Sequence, residues 1–196
     1  MVEARRYLLD FEEEISIYES LVTLAKVHFN YLQLLQKEEL QIISMWWKDL
    51  ELQVKLPYVR DRVPKIYVWI LVLFLEPCYS QAIIIATKNI LFVLVLDDTY
   101  DAYATIEEIR LITHAINRYF FAMSQVPNYF KPFYALMPNE YAEFNQQLPP
   151  QGTTKAIIEA LKKALKGLTI APTIKRLNGD IVEKCLHMKN FFVSPH

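Results

Sequence analysis

Between Ser80 and Tyr103 the chain reads SQAIIIATKNILFVLVLDDTYDAY. Every residue from Ile90 to Leu96 is apolar, and Asp97, Asp98 and Asp101 follow at once. Glu107 and Glu108 come next, and the first base after them is Arg110. The stretch reads as one long buried helix with Ser80 as its expected N-cap. Thr87, Lys88 and Asn89 interrupt its apolar run, and the other apolar run, Ile66 to Leu75, is far shorter than the roughly 20 residues of a membrane span. Both are therefore assigned to buried helices and neither to a span.

The acids at the end of this helix need an explanation. Asp97 and Asp101 are four apart, which places their carboxylates on one helix face, and Asp98 borders it. Like charges repel there, and the helix dipole is already negative at a C-terminal end. A cation would relieve both effects, and no nearby Lys or Arg supplies one. Mg²⁺ is the other solution, since it takes one or two carboxylates, keeps waters and completes its shell with phosphate oxygens. The spacing suggests a Mg²⁺–diphosphate site, with Mn²⁺ as a substitute ion. A solvated acidic helix end is the alternative reading of the same string.

Two further features bear on that choice. Arg60 and Arg62, in the sequence RDR, stand where a loop enters a helix. Their guanidiniums can grip phosphate oxygens in a fork, or they can form an ordinary surface salt-bridge loop. Trp69 lies nine residues past Arg60 in an apolar run. Its indole face can stabilise a cation, or it can be plain core.

The rest of the chain fits a helical protein. Of 196 residues only 3 are Gly, while Leu, Ile, Ala, Lys and Glu are abundant. Residues Leu21 to Leu52 carry apolar side chains near helical spacing and read as two helices, because the apolar face shifts along them. Pro57 should end that segment, Pro64 suits a first helical turn, and Pro77 should close the following helix. Thr105 is the expected cap of the next helix, TIEEIRLITHAINRYFF, with Glu107 and Glu108 in its first turn. Pro127, Pro132 and Pro138 mark a looser region. The sequence LPPQGTT reads as a linker, and KAIIEALKKALKGL as an amphipathic helix ended by Gly167.

A net charge of -1 gives no global drive toward nucleic acid. Cys78 and Cys185 are too few for a zinc site or a disulfide framework, and they suit a reducing compartment. The N-terminus lacks the order of a signal peptide and is too acidic for a transit peptide. A cytoplasmic location is the expectation.

Taken together, these residues resemble the plant class I terpene synthases, most closely sesquiterpene cyclases. The resemblance runs through VEAR (Val2 to Arg5), WWKDL (Trp46 to Leu50), RDR (Arg60 to Arg62), EPCYS (Glu76 to Ser80), LDDTYDAYATIEE (Leu96 to Glu108), AINR (Ala115 to Arg118) and VPNYFKPFY (Val126 to Tyr134). It implies an all-α antiparallel bundle with an apolar pocket. It implies that Asp97, Asp98 and Asp101 form the first metal motif, with Asp97 and Asp101 as the direct Mg²⁺ ligands. Arg60 and Arg62 would hold the leaving diphosphate, and Trp69 would face the carbocation. The implied substrate is a prenyl diphosphate, farnesyl diphosphate in this group, ionised and cyclised with release of diphosphate.

The resemblance also has limits. Lys65 stands where the family usually has Glu, Ile83 where it usually has Arg, His28 and His114 where Asp is usual, and Tyr119 where Trp is common. The family's second metal motif has no match. Residues 1–147 then correspond to the N-terminal half of a catalytic domain, and 148–196 to a linker, one amphipathic helix and a divergent tail. Such a truncated form would leave apolar faces open to self-association. Beside the active cyclase stand two alternatives: an inactive relative limited to Mg²⁺–diphosphate binding or subunit pairing, and a chain-elongating prenyltransferase, against which RDR, WWKDL and EPCYS argue.

Overall fold

The computed structural model describes residues 19–74, 76–117 and 123–147, and among them it contains helices, 3₁₀ turns and loops but no strand. Six α-helices follow in order: α1 (Glu19–Asp49), α2 (Leu52–Lys55), α3 (Val63–Leu73), α4 (Ser80–Ala102), α5 (Ile106–Asn117) and α6 (Lys131–Gln147). The expected linker, the amphipathic segment after it and the tail lie outside the described residues, as do Tyr119 and the start of the chain.

Helix α4 is the centre of the bundle. Every residue from Ala82 to Leu96 is buried, polar ones included. A helix buried all round must be apolar all round, and its composition meets that demand. Pro77–Ala102 is long and apolar enough to cross a membrane by composition, but 83% of its most apolar window is covered by the protein's other residues. Two of the buried polar side chains on α4 donate back into the helix. Thr87 Oγ1 donates to Ile83 O at 2.8 Å, and Asn89 Nδ2 to Ile85 O at 2.8 Å.

The other helices wrap α4. Helix α3 runs antiparallel to it: Arg62 before α3 reaches Asp98 near the end of α4, while Phe74 past the end of α3 packs on Tyr79 just before α4. From α1, Trp46 meets Phe92 with ring centroids 5.4 Å apart; from α6, Phe133 meets the same ring edge-on at 5.3 Å. Helices α5 and α6 join through Tyr134, whose hydroxyl donates to Ala115 O at 3.0 Å.

Several sequence expectations change here. The two helices expected over Leu21 to Leu52, divided where the apolar face shifts, are one continuous helix of 31 residues to Asp49, with a four-residue helix after it. The chain turns at Glu51, whose φ of 51° is left-handed. The shift of apolar face does not break α1, because its buried residues are confined to Glu39, Ile43 and Trp47 in its C-terminal part. Ser80 is the first helical residue and not the cap; Tyr79 precedes it without a side-chain cap bond. Helix α3 ends at Leu73, with Phe74 as its C-cap, and Pro77 opens a 3₁₀ turn instead of closing the helix.

The region with Pro132 and Pro138 is not loose. Pro132 falls in the first turn of α6, where a missing N–H is harmless, and Pro138 lies inside the helix. Burial of Phe133, Tyr134, Met137 and Phe144 offsets that interior proline. The expected cap at Thr105 is present as a reciprocal box: Glu108 N donates to Thr105 Oγ1 at 3.4 Å, and Thr105 N to Glu108 Oε2 at 2.9 Å. Pro64 sits in the first turn of α3, as its sequence position suggests.

Candidate functional site

The acid end of α4 faces the loop that enters α3. That loop is fixed by burial of Leu56 and Val59 on either side of Tyr58. Asp61 Oδ1 accepts from Val63 N at 3.1 Å and so begins α3. Both arginines of RDR then converge on one carboxylate. Asp98 Oδ1 accepts from Arg60 Nε at 3.1 Å, from Arg60 Nη2, and from Arg62 Nη2 at 2.8 Å. Its other oxygen accepts from the Arg60 backbone N–H at 3.2 Å. Asp98 is buried, Arg62 is mostly covered, and Arg60 is exposed. The bond to Asp98 raises Arg60 above its ordinary pKa, so its charge is permanent.

Asp97 and Asp101 have a different environment. Asp97 Oδ1 is buried and has no hydrogen-bond partner among the described residues. Burial, then repulsion from Asp101 and Asp98, pushes the Asp97 carboxyl up to about 6, although Arg62 and Arg60 pull the other way. Asp101 is exposed, and it too is raised, by desolvation first and Asp98 second. Two carboxylates four residues apart are thus left short of positive charge beside two arginines committed to Asp98. A Mg²⁺ ion fits that deficit, since it uses one or two carboxylates and leaves the remaining positions for water and phosphate. Among the described residues no three His, Cys, Asp or Glu side chains converge as a metal-binding group.

The arginines retain donors for an anion. Asp98 takes Nε and Nη2 of Arg60 and Nη2 of Arg62, which leaves Nη1 of each uncommitted among the described residues. Trp69 lies seven residues beyond Arg62, about 10 Å along the helix. It is partly buried, and the Lys65 ammonium lies over its ring, 4.9 Å from the centroid. So the ring already attracts a cation, the Lys65 ammonium of its own helix.

Two features have no counterpart in the sequence reading. Beside the arginine loop, Tyr58 stacks on Tyr103 at 4.1 Å and 15°, and Tyr129 meets Tyr103 edge-on at 4.9 Å. Their density near RDR and DAY was the available signal. Nearer the middle of α4, buried Lys88 lies over Trp46, 4.9 Å from the ring centroid, and burial lowers its pKa. Trp46 Nε1 donates to Glu140 Oε2 at 2.8 Å. This second cluster ties α1, α4 and α6 together. His28 is exposed, His114 is exposed and bonded to Gln125, and Ile83 is buried.

Residues 48–182 match the family model described as terpene synthase family, metal binding domain. An alpha-copaene synthase of Helianthus annuus is 64% identical over 169 residues, covering 86% of this chain and 30% of that protein. A germacrene A synthase, short form, of Cichorium intybus is 60% identical over the same shares of each chain. Among solved structures, isoprene synthase from grey poplar leaves (Populus x canescens) superposes with a TM-score of 0.69 at 28% identity, covering 91% of this chain and 34% of that one. A second structure of that enzyme, in complex with three Mg²⁺ ions and dimethylallyl-S-thiolodiphosphate, gives a TM-score of 0.67 at 28% identity, covering 88% of this chain and 33% of that one. The chain thus spans about 30% of the length of the curated relatives it matches. From the matched region, which holds both arginines and all three aspartates, the chain belongs to the terpene synthase family.

Proposed function

We propose that this chain forms one wall of a Mg²⁺-dependent prenyl diphosphate site, the substrate being farnesyl diphosphate and the reaction its ionisation and cyclisation. The observation that carries this reading is the buried, unpartnered Asp97 oxygen next to Asp101, opposite arginines that keep free donors. In ionisation the allylic C–O bond breaks, and its electron pair leaves on the diphosphate. A bound Mg²⁺ would supply Lewis-acid stabilisation of that leaving group. Asp97 and Asp101 would hold the ion. The free Nη1 groups of Arg60 and Arg62 would meet diphosphate oxygens as fixed donors, needing no reorganisation as charge develops. Trp69 would present its ring to the cation once Lys65 moves aside.

A second reading, Mg²⁺–diphosphate binding without turnover, draws on a specific observation. The described residues offer two carboxylates short of a partner and no third converging ligand. The same proposal includes a cytoplasmic location and self-association through α1, where Leu21, Leu24, Val27, Tyr31 and Leu34 are exposed. One experiment tests the function: incubate the chain with farnesyl diphosphate and Mg²⁺, then assay hydrocarbon products and released diphosphate. Products lost in Asp97→Ala support catalysis. Binding of Mg²⁺–diphosphate without products supports the second reading, and the absence of both defeats the proposal.

A further inference from the structure

The arginines can act on a diphosphate only if their loop is held over the acid end of α4. Asp98 holds its far side. The near side depends on a different contact. The Tyr58 hydroxyl and Thr99 Oγ1 are 3.0 Å apart, and Thr99 is one residue past Asp98. Thr99 Oγ1 donates to Val95 O at 2.7 Å, which directs the Tyr58 hydroxyl to donate to it. The Tyr58 ring lies flat on Tyr103, beyond the end of α4, and Tyr129 closes the group from a third side, 6.5 Å from Tyr58. Val59 N donates to Leu56 O at 3.0 Å, so the backbone turns tightly between the two fixed ends.

We propose that Tyr58 is a positioning residue: stacked on Tyr103 and bonded to Thr99, it seats the Arg60–Arg62 loop so that both guanidiniums meet an anion bound at α4. What the arginines bind rests on the diphosphate reading above. The seat itself does not. Tyr58 has both an aromatic contact and a directed hydrogen bond, so the two can be removed in turn. Tyr58→Phe keeps the stack, and Tyr58→Leu removes both.

Three measurements on the full chain test this. Hydrogen–deuterium exchange reads the amides of residues 56–62. Calorimetry with inorganic pyrophosphate and Mg²⁺ reads the anion site. Electron paramagnetic resonance with Mn²⁺ alone reads the carboxylates. For Tyr58→Leu the expected result is at least tenfold faster exchange in the loop, unchanged exchange within α4, about tenfold weaker pyrophosphate binding and Mn²⁺ binding within twofold of the parent. Tyr58→Phe should fall between. In an Arg60→Gln background, the effect of Tyr58→Leu on pyrophosphate should shrink below threefold, which a general loss of structure would not produce. Unchanged loop exchange in Tyr58→Leu, or an undiminished effect in that background, overturns the proposal. If the parent binds no pyrophosphate while the loop still loosens in Tyr58→Leu, the diphosphate reading fails and the seat stands. Should Tyr58→Leu not fold, Thr99→Val removes the anchor from the α4 side, and a loop that does not loosen in it also overturns the proposal.

Discussion

The acid end of α4 and the first five turns of α1 each carry groups that the described residues leave unsatisfied, but of opposite kinds. At α4 the shortfall is charge: Asp97 has a buried oxygen without a partner. At α1 it is apolar surface: no residue from Glu19 to Glu38 is buried, and Leu24 and Leu34 are 63% and 69% exposed. A single ion can satisfy the first without moving the backbone. The second needs another apolar surface of similar length. The comparison separates a shortfall that a small ligand can meet from one that only further apolar surface can meet.

The largest expected effect sharpens the first half of this contrast. Asp98→Ala strands Arg62 with little solvent and should destabilise the chain by about 3 kcal/mol. In thermal melts followed by circular dichroism this is about 6–12 °C for a chain of this size. Asp101→Ala, three residues on and exposed, should stay within about 0.5 kcal/mol. Equal losses would mean that the acids share one role.

Next comes pH. The Asp97 carboxyl, raised from 3.8 to about 6, binds its proton more tightly folded than unfolded. Its favourable contribution is therefore complete below about 4 and is lost as pH rises through about 6. After allowance for solvent screening this is on the order of 1 kcal/mol. Melts of the metal-free chain between pH 4 and 7 should show the decline, and Asp97→Asn should flatten it. Mg²⁺ affinity should rise over the same interval, because the ion and the proton compete for one carboxylate.

A smaller effect concerns Lys65. Replacing it with Gln removes an exposed cation–π contact worth about 0.5 kcal/mol. Tryptophan fluorescence should shift as the ring is uncovered, and Lys65→Arg should preserve the parent signal. The smallest effect on stability belongs to α1. Leu24→Gln with Leu34→Gln should change the melt by less than about 0.5 kcal/mol per site. Sedimentation velocity should nevertheless show less association than the parent. A large loss of stability would mean that these side chains are already covered.

The contrast also explains what the sequence made legible. Helix α4 could be read because an apolar run beside an acid cluster has few other uses, and Thr105 with Glu108 could be read because a capping box is local. Asp98 could not be told from Asp97 by spacing, since the choice is made by a loop 38 residues earlier in the chain. Pro132 and Pro138 suggested a loose region because the packing that holds α6 together is tertiary. Ser80 failed as a cap for a related reason: the preceding 3₁₀ turn leads directly into the helix. Tyr58 carries no motif, and its role depends on a ring 45 positions away.

The central claim is a division of labour, with Asp97 and Asp101 for the metal and Asp98 for the arginines. A Mn²⁺ titration by electron paramagnetic resonance at pH 7.5, on folded Asp97→Asn and Asp98→Asn chains, tests it most directly. Asp97→Asn should weaken Mn²⁺ binding at least tenfold, and Asp98→Asn should leave it within about threefold of the parent. Equal loss in both, or greater loss in Asp98→Asn, would contradict the account.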